Sequence, residues 1–131
     1  MLKLTRKIEY GLIALRHLQQ NKDIISSTKE IANLYLIPYE ILAKTLQQMA
    51  KNKFIIAIKG PYGGYKVNRK LDDISLIDFF ESMEGPMGLV DCNTDINCEQ
   101  IQNCNIKIAI NRINNNVRYL FNQISLSEIT K

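Results

Sequence analysis

The sequence predicts a mainly α-helical fold with one small β-hairpin, ending in a long C-terminal helix. Three observations carry that expectation. Residues 28–52 hold two helix-forming stretches joined by the short apolar connection Leu36-Ile37. Residues 54–67 place a β-branched run, a glycine-rich turn and an alternating return run in direct succession. Residues 106–124 repeat apolar side chains at spacings of 4, 3, 4, 3 and 4.

A first helix is expected over 5–20, because Ile8, Leu12, Leu15 and Leu18 form one apolar stripe and Asn21-Lys22-Asp23 ends it. Ser27, followed three residues later by Glu30, fits a capping box and starts a second helix at Thr28. That helix carries Ile31, Ala32 and Leu34 and ends near Tyr35. Pro38 suits the first turn of a third helix, where its missing N–H is harmless. The third helix runs to about Asn52, with Leu42, Leu46 and Met49 inward and Tyr39, Glu40, Lys44, Gln47, Gln48 and Lys51 outward.

Two short helices with a tight connection form a helix-turn-helix, whose second helix enters the DNA major groove by its N-terminal part. Here that part offers Tyr39, Glu40, Ala43, Lys44 and Gln47, with Thr28 at the start of the preceding helix joining the DNA-facing set. The helices alone are equally compatible with an ordinary helical hairpin. Phe54–Ile58 then reads as a strand, Lys59–Gly64 as a turn, and Tyr65–Val67 as the returning strand. This order is a winged helix-turn-helix. Lys59 and Tyr62 at the hairpin tip can reach the minor groove or a phosphate.

A helix with an apolar face from Leu76, Ile77, Phe79 and Phe80, capped by Asp73 or Ser75, is stopped by Glu84-Gly85-Pro86. Residues 85–104 follow as a long loop, of a kind that is uncommon without a function or cofactor. The seam Ile106, Ile110, Ile113, Val117, Leu120 and Ile124 places a long helix over 105–124. It is either core-facing or paired with its copy in a homodimer, which would match two DNA half-sites. The expected organisation is a DNA-binding unit over 1–84, a cysteine-containing loop over 85–104, and a dimerisation helix and tail over 105–131.

Composition narrows the function. Residues 1–70 hold 13 Lys or Arg against 4 Asp or Glu, a net +9, whereas residues 71–131 balance at −5. A field of that size suits nucleic-acid phosphate. No run of about 18 apolar residues is present, so no membrane span is expected. Charges interrupt the N-terminal apolar positions, so no secretory signal is expected and the reading is cytoplasmic. With a single histidine, His17, and no phosphate-binding glycine loop after a strand, no enzyme site can be assembled.

The three cysteines form a C-x5-C-x5-C pattern: Cys92, Cys98 and Cys104. Thiolates are preferred ligands of iron–sulfur clusters and zinc, and so close a set can reach one centre. In a reducing compartment they are metal ligands or redox sensors before they are disulfides. A thiol redox switch and a zinc site both remain open.

Several segments together resemble one family. They are Leu4-Thr5-Arg6-Lys7-Ile8-Glu9-Tyr10, Ile37-Pro38 through Leu42-Ala43-Lys44, Gly60-Pro61-Tyr62-Gly63-Gly64-Tyr65, the cysteine loop, and Ile124 through Ile129. The chain is similar to the winged-helix iron–sulfur regulators that include IscR, NsrR and RirA. The resemblance implies a dimeric transcription factor, usually a repressor, that binds a double-stranded DNA operator. It also implies a cluster that senses iron–sulfur status, nitric oxide or redox state, with Cys92, Cys98 and Cys104 as ligands and Lys59 as the wing's basic residue. IscR-type members can carry Glu where this chain has Ala43, a departure that counts against carrying IscR-like operator choice over to this chain. The IscR pattern places a histidine where this chain has Lys107, which cannot ligate iron. NsrR-like members take a carboxylate from the partner's first helix, and Glu9 matches it, with a 4Fe–4S unit favoured over 2Fe–2S by that analogy. A surface carboxylate paired with Arg6 or Lys7 is the plain alternative for Glu9. His17, Asp91, Asp95 and Glu99 are further candidate ligands.

Overall fold

The computed structural model describes residues 3–68, 70–88 and 103–131. Three helices come first: α1 (Arg6–Gln20), α2 (Thr28–Tyr35) and α3 (Tyr39–Lys51). Strands β1 (Ile55–Ile58) and β2 (Gly64–Val67) pair antiparallel, with Ile55 opposite Val67 and Ile58 opposite Gly64. A 3₁₀ turn (Leu71–Asp73) leads into α4 (Leu76–Glu84), and α5 (Lys107–Gln123) and α6 (Leu126–Thr130) complete the chain.

Side-chain caps set three of the helix starts. The Thr5, Ser27 and Ser75 side chains accept from the backbone N–H of Ile8, Glu30 and Asp78. Each satisfies a donor that the helix itself leaves unpaired, and truncating such a cap to Ala costs about 1 kcal/mol. Of the two caps open for α4, the structure selects Ser75, because Asp73 closes the preceding 3₁₀ turn.

The core joins α1, α3 and α4. Leu15, Leu18, Leu42, Leu46, Met49 and Phe79 are fully buried, and Phe54 meets Phe79 edge-on at 5.2 Å. Gly11 lets α1 approach closely, since a Cβ there would sit 3.2 Å from the Phe79 ring and 3.4 Å from the Met49 sulfur. Two inward or outward assignments change. Leu34 lies on the exposed side of α2, because only Ile31 and Ala32 face α3. Gln48 turns from the DNA side to α4 and donates to the carbonyls of Ser82 and Met83.

Residues 125–131, expected as a tail, form α6. The Glu128 carboxylate accepts from the Ser125 N–H at 3.3 Å, and Leu126 is fully buried. Leu76 N–H donates to Ile124 carbonyl at 2.7 Å and Leu126 N–H to Ile74 carbonyl at 2.9 Å. These bonds tie the end of α5 to the start of α4, and α6 packs on α1.

Leu36 ends α2 in the left-handed conformation, φ 55°, with its side chain 90 % exposed. That backbone costs an L-residue about 1–2 kcal/mol, and the exposed side chain gains nothing from the core. Leu36→Gly removes that strain and gives back part of it as chain entropy in the unfolded state. A net gain of about 0.5–1 kcal/mol is expected, seen as a thermal midpoint higher by about 2–4 °C. A lower midpoint would mean that the Leu36 side chain has a stabilising contact.

Candidate nucleic-acid interface

The helix-turn-helix and the wing present the expected side chains to solvent. Tyr39, Glu40, Lys44 and Gln47 are exposed on α3, and Ala43 is half-buried among them. Thr28, the first residue of α2, is half-buried. Lys59 and Tyr62 are exposed at the wing tip.

The glycines of the wing have separate steric reasons. Gly60 adopts φ 116°, and its carbonyl accepts from the Gly63 N–H at 3.0 Å. A Cβ at Gly63 would lie 2.2 Å from the Ile58 carbonyl oxygen. One at Gly64 would lie 2.4 Å from the Ser26 carbonyl oxygen. The second approach reveals an anchor that the sequence reading missed. Ser26 N–H donates to Tyr65 carbonyl at 3.1 Å, and Tyr65 N–H to Ser26 carbonyl at 2.8 Å. The segment before α2 is thus a bridge-length partner for β2, and the β-branched pair Ile24-Ile25 beside it was the available signal. Burial first, and the neighbouring Tyr39 second, push the Tyr65 phenol above its ordinary value.

The candidate ligands are only partly within view. Cys104 is a free, half-buried thiol three residues before α5. Cys92, Cys98, Asp91, Asp95 and Glu99 lie outside the described residues. Glu9 sits in the first turn of α1 and pairs with the Arg6 guanidinium at 2.9 Å. That pair is surface-facing and worth at most about 1 kcal/mol, so it holds the carboxylate weakly. His17 has both ring nitrogens engaged, by the Tyr35 hydroxyl at 2.9 Å and the Ser26 hydroxyl at 3.2 Å. Among the described residues, no three His, Cys, Asp or Glu side chains converge on a metal position.

The start of the cysteine loop is held against α5. Gly85 ends α4 at φ 88°, and Arg118 of α5 donates to the Glu81 carboxylate and to the Met87 carbonyl. A cavity of about 520 Å³ opens beside it, lined by Leu4, Ile8, Phe80, Met87 and Phe121 among others. Phe80 and Phe121 join α4 to α5 at 5.7 Å.

The apolar seam of α5 is only partly covered. Ile106, Ile113 and Leu120 are 55 %, 50 % and 57 % exposed, Ile110 and Val117 are half-buried, and Ile124 packs against the core, while Arg118 and Phe121 meet α4. No helix among the described residues is long and apolar enough to cross a membrane.

A helix-turn-helix, a β-hairpin wing and a long C-terminal helix define a winged-helix transcriptional regulator, not an enzyme. The family model described as an iron-dependent transcriptional regulator matches residues 4–131, and the chain belongs to that family, Rrf2. A curated relative from Aquifex aeolicus, described as an HTH-type transcriptional regulator, is 35 % identical over 74 residues. The match covers 56 % of this chain, which spans about half the length of that relative. Among solved structures, CymR, the global cysteine regulator of B. subtilis, superposes with a TM-score of 0.76. Its identity is 24 %, over 99 % of this chain and 97 % of that one. T. potens IscR superposes at 0.73, with 21 % identity over 98 % and 85 % of the two chains. At these identities the likeness is one of fold.

Proposed function

We propose that this chain is a cytoplasmic, homodimeric repressor that binds a double-stranded DNA operator and is switched at its cysteine loop. The observation that carries the DNA reading is the joint exposure of the α3 face and the wing tip within a half of net charge +9. Lys44, Gln47 and Tyr39 read base edges or phosphates in the major groove, and Glu40 and Ala43 shape that contact. Lys59 and Tyr62 take the adjacent minor groove or backbone, and Thr28 lies at the phosphate-facing start of α2. Residues 1–84 act as the DNA-binding unit, 85–104 as the sensing loop, and the α5 seam as the dimer contact.

For the loop, the donor chemistry fits an iron–sulfur cluster held by Cys92, Cys98 and Cys104, with the partner's Glu9 completing the set. Cys104 supports this as a free thiol outside the described core. A bound cluster supplies iron that reacts with nitric oxide and oxygen and a weakly held carboxylate position. A 4Fe–4S unit is the form we favour over 2Fe–2S. The alternative reading is a cluster-free switch by thiol oxidation or zinc at the same free thiol.

The test is an absorption spectrum with iron and sulfide analysis on anaerobically purified protein, before and after a nitric oxide pulse. A brown, sulfide-containing protein that bleaches is expected. A protein that stays colourless after anaerobic reconstitution overturns the cluster reading and leaves the thiol or zinc switch. In parallel, affinity for duplex DNA should fall with salt at a log–log slope of about −0.9 per phosphate contacted. A salt-independent or absent affinity overturns the DNA reading.

A further inference from the structure

The only histidine occupies a position that neither the core nor a metal site explains. His17 lies near the end of α1, half-buried, with its ring edge-on to Tyr35 at 5.5 Å between centroids. Its Nδ1 hydrogen bonds with the Tyr35 hydroxyl at 2.9 Å, and its Nε2 with the Ser26 hydroxyl at 3.2 Å. Hydroxyls can donate or accept, so either imidazole tautomer is satisfied at both ends.

The two partners flank α2, one at its end and one in the segment before it. Tyr35 is the last residue of α2, immediately before the turn into α3. Ser26 is 2 % exposed and holds β2 of the wing through both of its backbone bonds to Tyr65. Gly64 meets the same carbonyl so closely that no side chain fits between them. One ring on α1 therefore bonds the end of the first helix of the helix-turn-helix on one edge and, on the other, the residue whose backbone holds the wing. Glu9 lies eight residues earlier on the same helix, about 12 Å along its axis.

Resting on the DNA-binding reading above, we infer that His17 is a positioning residue. It fixes the spacing between wing and recognition helix and carries a displacement of α1 to both at once. Phe at this site preserves the ring but neither hydrogen bond. Ser26→Ala and Tyr35→Phe each remove one bond and leave the ring in place.

The test begins by enriching a duplex from a random-sequence pool with the wild-type full-length protein. Affinities for that duplex are then measured for Lys59→Ala, His17→Phe and the pair. Lys59→Ala is expected to lose about tenfold in the wild-type background. In the His17→Phe background it should lose less than about threefold, because the wing is no longer held where Lys59 can contribute. Hydroxyl-radical protection at the wing's edge of the footprint should fade while protection under α3 stays. Should His17→Phe not fold, Ser26→Ala replaces it in the same cycle with the same expectation. Additive losses with an unchanged footprint overturn the role of His17 and leave the DNA reading intact. Failure of the wild type to enrich any duplex overturns the DNA reading and the inference with it.

Discussion

Asp at both Ile113 and Leu120 is expected to convert the protein to a monomer and to reduce affinity for a two-half-site duplex by about 100-fold or more. Both side chains are at least half exposed in the single chain, so their own fold does not depend on them. Surface changes of that kind usually move stability by no more than about 0.5 kcal/mol. In a dimer built on this seam, the same change places unpaired carboxylates in an apolar contact. Each costs several kcal/mol, which exceeds what a helix pair of this length can offset. The Ile106, Ile110, Ile113, Val117, Leu120 register supports pairing because it follows the 3.5-residue period of a coiled coil. The readouts are molar mass by light scattering, against 15.1 kDa for one chain, and affinity for duplexes with one or two half-sites. Affinity for a single half-site should change little. A double variant that keeps the mass of a dimer sinks the seam as the contact.

The fold was legible wherever a local signal agreed with its tertiary use. Ser27 and Glu30 gave the start of α2, the 54–67 pattern gave the hairpin, and Leu42, Leu46 and Met49 gave the buried face of α3. The sequence misled where local pattern and packing part company. Leu34 keeps helical spacing but falls on the exposed side of α2, because a helix of eight residues buries only a narrow stripe. Gln48 is polar like its neighbours, yet its amide is used to cap carbonyls at the end of α4. The Ser125–Glu128 signal repeats the one at Ser27–Glu30 and went unread because only a short segment followed it. The Ser26–Tyr65 bridge joins residues far apart in sequence, and no periodicity can announce such a contact. The candidate site divides the same way. Exposed Lys44, Gln47, Lys59 and Tyr62 could be read from spacing, whereas the engagement of His17 with two hydroxyls needed the folded chain.

Cys104→Ser is expected to lower bound iron and sulfide by at least about tenfold in anaerobically reconstituted protein, with far-UV circular dichroism unchanged. The physical contrast is narrow. A thiol is readily deprotonated and soft, and it bonds iron in sulfur-rich sites; a serine hydroxyl is hard and stays protonated at neutral pH. The side chain is half-buried, outside the core, and precedes α5 by three residues, so the substitution removes a ligand type and little packing. Loss of iron and sulfide together, with loss of the response of DNA affinity to nitric oxide, is the outcome the cluster reading requires. Zinc without sulfide in the wild type, released by the same substitution, assigns Cys104 to a zinc site instead. No metal in either protein, with a wild-type response to a mild oxidant that the variant lacks, assigns it to a thiol switch. A variant that retains wild-type iron, sulfide and response removes Cys104 from the sensing set. Sensing would then have to rest on Cys92 and Cys98, because no other cysteines are present in the sequence.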